Sequence, residues 1–180
     1  MIFTKTNLEG AFVIRIQKLA DERGFFACAF CQREFQEHGL NPNVVQCNIS
    51  YNKQKGTLRG MHFQSAPYQE AKLVRCMQGA IYDVIVDIRP ESETYMEHFT
   101  IYLTADNYNA LYVPEGFAHG FLTLEDNTHV FYQMSEFFAP GNARGFQWND
   151  PAFNIEWPEE IQSISDRDAN LPNYSPDLLK

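Results

Sequence analysis

His62 stands in the stretch Gly56–Gln64, GTLRGMHFQ, with Arg59 three residues before it and Gln64 two residues after. A histidine there can ligate a metal, sit satisfied in a core, or move a proton. An unperturbed imidazole titrates at about pH 6.5, so much of it is neutral and available as a base near neutral pH. The metal reading has spacing in its favour. Gly56 precedes His62 by five intervening residues, Glu70 follows, and PEGFAH, Pro114–His119, supplies a second histidine. His62, Glu70 and His119 could therefore form a triad of two histidines and a carboxylate.

Both stretches resemble the two sequence blocks of the cupins. In a metal-binding cupin the first block carries a second histidine where this chain has Gln64. A glutamine amide is a poor transition-metal ligand beside imidazole. The reading is a cupin cavity whose metal set has been dismantled. Four cysteines, Cys28, Cys31, Cys47 and Cys76, add no metal site. CAFC has the spacing of half a zinc knuckle, but no second pair follows it. The segment GFFACAF reads as a strand, in which positions three apart face opposite ways. Reduced, partly buried thiols are expected.

The elements that must position these groups are strands. Short runs rich in Val, Ile, Phe, Tyr and Thr recur along the chain, among them VVQCNISYN, KLVRCM, AIYDVIVDIR and HVFYQM, and turn residues separate many of them. Many short strands at regular spacing predict an all-β sandwich or barrel. Only CQREFQEHGL reads well as a helix, and the Pro- and Asp-rich stretch from Asp150 onward is expected to wrap the body. A regular strand would send Arg59 and His62 to opposite faces. Gly60 lies between them, and a bulge there would aim both into one cavity. Alternation along AIYDVIVDIR puts Asp83 on one face with Ile81 and Ile85, either in a cavity or toward solvent.

A chain of 180 residues is most simply one domain, 1–180, with room for a real core. The net charge of −9 disfavours a nonspecific binder of nucleic acid or of an anionic membrane. A few converging arginines can still hold a small phosphorylated ligand, because bidentate contacts are local. The N-terminal stretch has no basic segment followed by a long apolar run, and no stretch approaches the roughly 20 apolar residues of a membrane span. A cytoplasmic location is expected.

DERGFF, GTLRGMHFQ, KLVRC, YDVIVDIR, VPEGFAHGFL, QWNDPAFNIEWP and SDRD occur in this order across nearly the whole chain. Together they resemble the dTDP-4-dehydrorhamnose 3,5-epimerase family. The resemblance implies a cupin-like jelly roll (a double-stranded β-helix), usually a homodimer. It implies action on a nucleotide-linked 4-keto-6-deoxyhexose without a metal or redox cofactor. By the same resemblance His62 is the base, and its carboxylate partner is Asp168, with Asp166 two residues away and Asp83 in reserve. Tyr132 is the proton donor, and Lys72 faces the developing oxyanion. Arg59 and Arg23 hold the diphosphate, Gln46, Asn48 and His119 line the site, and Arg167 lies near the sugar nucleotide.

Two departures bear on specificity. Cys28 stands where the family commonly has a glutamate that contacts the ligand end, and Glu136–Phe138 stand where it tends to have Asn-Tyr-Tyr. Phe137 or Phe138 could still stack on a base, but a hydroxyl donor is gone. Inversion at C3 alone, another nucleotide-linked 4-keto sugar, and a metal-dependent cupin oxygenase remain the alternatives.

Overall fold

The computed structural model describes residues 1–180. In chain order the strands are β1 Ile2–Lys5, β2 Phe12–Arg15, β3 Leu19–Asp21, β4 Gly24–Phe26, β5 Gln46–Asn52, β6 Thr57–Gln64, β7 Lys72–Gln78, β8 Ala80–Asp87, β9 His98–Thr104, β10 Asn109–Val113, β11 Phe117–Thr123, β12 Thr128–Met134, β13 Ala143–Gly145 and β14 Ser163–Ile164. Helix α1, Gln32–Glu37, lies between β4 and β5, α2, Asp166–Ala169, follows β14, and a 3₁₀ turn, Pro176–Leu179, comes last. No helix is long and apolar enough to cross a membrane.

Two sheets face each other. One runs β1-β2-β10-β7-β12-β5, the other β13-β6-β11-β8-β9, with β14 parallel to β6. Strands β5 to β12 are dealt between the sheets as β5, β7, β10, β12 and β6, β8, β9, β11. That order is a jelly roll, as expected.

Alternation explains the layering. Ile81 and Ile85 of β8, Val74 and Cys76 of β7, Leu111 of β10 and Val130 of β12 point between the sheets into one core. The opposite faces are not left to water. Phe35 and Leu40, on and after α1, cover Phe12, Ile14, Leu73 and Tyr112 on the back of the first sheet. Phe146, Phe153, Trp157 and Tyr174, from β13 onward, cover Val84, Val86 and Ile88 on the back of the second. The stretch from Asp150 onward therefore wraps the body. Asp83 faces inward, and the solvent-facing alternative for it is corrected: it is fully buried.

One segment departs from expectation. GFFACAF is strand only over Gly24–Phe26; Ala27–Cys31 leave the ladder. β3 and β4 pair only with each other, so this hairpin has no neighbour to extend it. Leu19 and Phe26 are exposed on it. Cys28 is exposed, and its Sγ donates to the Phe30 carbonyl at 3.2 Å. Cys76 is buried, and burial pushes its thiol up to about 11, so it stays protonated and inert.

Candidate active site

The two sheets leave a cleft at one end of the barrel, with two lobes. One, of about 350 Å³, takes in Gln46, Asn48, Glu70, Phe138, Arg144 and Arg167. The other, of about 500 Å³, takes in Ser50, Tyr51, Arg59, His119 and Phe121. His62, Lys72 and Tyr132 line both lobes and mark where they join.

Register accounts for this set. Across the first sheet Gln46, Met134 and Lys72 form one row, and Asn48, Tyr132 and Val74 the next. Rows two residues apart share a face, so Lys72 and Tyr132 both look into the gap. Across the second sheet His62, His119 and Ile85 are partners. The histidines thus come from one wall and Tyr132 with Lys72 from the other.

Arg59 reaches the same gap because β6 is irregular. Arg59 to His62 is three steps, while their partners Phe121 and His119 are two apart. The extra residue falls at Gly60, as predicted, and Arg59 and His62 line one lobe together. Gly60 has φ +138°, and a Cβ there would come within 2.5 Å of the Gly120 Cα. Only glycine fits so close an approach of two backbones. Arg59 is then fixed by its Nε donating to Asn52 Oδ1 at 2.7 Å.

His62 Nε2 lies 2.7 Å from Asp168 Oδ1. Asp168 sits in α2, capped by Ser165, whose side chain accepts from the Asp168 amide. Burial alone would push the Asp168 carboxyl up. The hydrogen bond to His62, the charge of its imidazolium form, the Gly60 amide and Arg167 outweigh burial and hold it below the usual carboxylate range. An ionised carboxylate only accepts, so Nε2 carries the hydrogen, and in the neutral imidazole Nδ1 holds the lone pair. Asp166 is exposed and Asp83 is committed elsewhere, 2.7 Å from His119 Nε2. Among the three candidates, Asp168 is therefore the carboxylate at His62.

Lys72 Nζ is 2.8 Å from Glu70 Oε1, both side chains nearly buried, and the second oxygen of Glu70 has no partner. Gln46 donates to Asn48 Oδ1 at 3.1 Å and accepts the Phe138 amide at 3.1 Å. Glu70 entered the sequence reading only as a possible third ligand of the disfavoured metal triad, and its pairing with Lys72 is not evident there. Only the Glu-x-Lys spacing at the start of β7 hinted at it. Arg144 was missed too, because it enters through the register of β13 against β6. His62, Glu70 and His119 each face a different partner, and no three His, Cys, Asp or Glu side chains converge as a ligand set. Arg23 is not brought in: it lines neither lobe, and its exposed guanidinium pairs with Asp21 in the β3–β4 hairpin at 2.5 Å.

The arrangement can take a proton from one side of a bound ring, return one from the other, and offer cations to an oxyanion and a phosphate. Comparison with known proteins is consistent with that chemistry. A curated dTDP-4-dehydrorhamnose 3,5-epimerase of Methanothermobacter thermautotrophicus is 43% identical over 171 residues, 93% of this chain and 91% of its own length. The crystal structure of the Bacillus anthracis dTDP-4-dehydrorhamnose 3,5-epimerase with TDP and PPi bound superposes with a TM-score of 0.92 at 40% identity, covering 96% of this chain and 99% of that one. A 3'-monoepimerase from Streptomyces bikiniensis, in complex with dTDP-quinovose, superposes with a TM-score of 0.85 at 31% identity, over 93% of this chain and 85% of that one. Residues 5–175 match the family described as dTDP-4-dehydrorhamnose 3,5-epimerase, and the chain belongs to that family.

Proposed function

We propose that the protein inverts C3 and C5 of dTDP-4-dehydro-6-deoxy-D-glucose, giving dTDP-4-dehydro-L-rhamnose, by proton transfer through an enolate. The observation that carries this reading is the placement of the His62–Asp168 pair on one wall of the cleft and Tyr132 on the other. Hydrogens on C3 and C5 are both α to the 4-keto group. Removal of one from one face and reprotonation on the other inverts the centre, and this needs a base, an acid across the ring and donors for the enolate oxygen. His62 is the base and Asp168 orients it. Tyr132, on the opposite wall, is the acid. Lys72 and His119 face the oxyanion. The ring needs no redox group or metal for this step, because the ketone itself stabilises the carbanion.

The remote nucleotide diphosphate supplies binding energy that positions the ring. Arg59 and Arg167 serve it, Gln46 and Asn48 line its path, and Phe138 offers a face for the base. The unit is the whole chain, 1–180, because Asp168 comes from the far end of the sequence. A homodimer fits the bare hairpin: a second copy would cover Leu19 and Phe26 and carry Arg23 to its neighbour's cleft. The location is the cytoplasm, where a nucleotide-sugar substrate would be met.

A second reading, inversion at C3 alone, is favoured by two observations. Phe137 and Phe138 bring no hydroxyl to the cleft, and a 3'-monoepimerase is among the similar structures. Incubation with the 4-keto sugar nucleotide in deuterium oxide separates them. Label at both C3 and C5 is the expected result; label at C3 only selects the second reading. No exchange at either carbon overturns both.

A further inference from the structure

Gln64 occupies the place where a metal-binding cupin would carry its second histidine, and its amide is fully engaged. We propose that Gln64 is a positioning residue whose side-chain amide sets the height of the Glu136–Ala139 segment, and with it Phe138, over the cleft. Its effect on affinity rests on the nucleotide-sugar reading above.

Between β12 and β13 the chain runs from Ser135 to Asn142 with no ladder of its own. Its backbone groups must find other partners. Gln64 Oε1 accepts the Ala139 amide at 2.6 Å, and Gln64 Nε2 donates to the Phe137 carbonyl at 3.2 Å and to the Tyr68 carbonyl at 2.8 Å. One buried amide therefore ties two connections, the turn after β6 and the loop after β12, to the strand that carries His62. Gln46 completes the hold through the Phe138 amide. Packing does not do this work: Phe137 and Phe138 are 61% and 51% exposed. Gln64 and His62 alternate onto the same face of β6, so the loop's height is set relative to the base. Both Gln64 donors and its acceptor are used, so Glu at 64 would keep the acceptor but lose both donors, and Leu would lose all three.

The test compares Gln64→Leu and the near-isosteric Gln64→Glu with wild type by three readouts: steady-state kinetics, dTDP binding by calorimetry, and hydrogen exchange at the Ala139 amide. Expected is a rise of about tenfold or more in KM and in the dTDP dissociation constant, with kcat within about threefold. The Ala139 amide loses its protection in Gln64→Leu, while Gln64→Glu keeps the oxygen that accepts it. In a Phe138→Ala background, Gln64→Leu should add little further loss of affinity, because the two act as a unit. A purely structural role would instead lower kcat as much as it raises KM, or add fully to Phe138→Ala, and either result overturns the proposal. So does an Ala139 amide that stays protected in Gln64→Leu. Wild-type protein that binds no dTDP would remove the substrate reading, and the exchange readout alone would then decide whether Gln64 holds the loop.

Discussion

Two imidazole–carboxylate pairs of the same length sit one strand apart in this cleft. His62–Asp168 and His119–Asp83 both measure 2.7 Å, and the two histidines are cross-strand partners. Their surroundings differ. The His62 side chain is 37% exposed, that of His119 10%. Asp168 is delivered from α2 and also lies within reach of the Gly60 amide at 3.4 Å, whereas Asp83 comes from the neighbouring strand β8, is sealed from water and leaves one oxygen unpartnered. A proton can enter and leave the open pair. The closed pair has a fixed donor to offer and little else. Access, not pair chemistry, is what distinguishes the two pairs, and the proposed base is the accessible one.

The comparison breaks outright if the wrong histidine is the base. His62→Ala should lose at least about 10²–10⁴-fold in kcat, the usual worth of general acid–base catalysis, while dTDP still binds. Full activity in that variant, with loss in His119→Asn instead, would reverse the assignment. Tyr132→Phe sharpens the point that the walls divide the labour. It should still exchange solvent deuterium into the sugar yet give little net inversion, because His62 can return a proton only to the face it came from; proton NMR of substrate and product distinguishes exchange from inversion. Asp168→Asn should cost less than His62→Ala, on the order of 10²-fold in kcat, since it orients and does not transfer the proton.

The smallest effect is on stability. The folded-state carboxyl of Asp168 titrates below its unfolded counterpart, and so does that of Asp87, which burial pushes up but Arg89, Ser92 and Thr94 pull further down. As pH falls, the unfolded chain therefore binds these protons first. Their contribution is full above about pH 5 and drains away as pH drops through the folded values. Melting temperature should fall between about pH 5 and 3, and less steeply in Asp168→Asn; equal slopes would show that the open pair does not contribute this way.

Much of this was legible in the strand pattern. Period-two alternation placed Asp83 with Ile81 and Ile85, and a glycine between Arg59 and His62 announced the bulge, because both are local properties of one strand. Tyr132, Lys72 and Asp168 came from the family resemblance, since taken singly a strand tyrosine or lysine reads as packing or edge. What stayed hidden depends on register between distant segments. Arg144 enters by the pairing of β13 with β6, and Glu70 turns to Lys72 rather than to an ion. Arg23 shows the converse: the motif is present, but the local Asp21 pairing and the unpartnered hairpin leave it outside its own chain's cleft. Ala27–Cys31 has apolar, strand-like composition, yet no neighbouring strand is available to pair with it.

Asp168 lies 106 residues along the chain from the histidine it is bonded to. Closing a loop that long yields its contact only after the intervening strands have been ordered, since non-local pairings bear the entropy of closure first. The Gly60 bulge, by contrast, depends on β6 and β11, both earlier in the chain. The tilt of His62 therefore does not depend on α2, whereas the polarity of its ring does. A chain can have its sheets, its core and its cleft and still lack the contact that fixes which nitrogen of His62 carries the hydrogen.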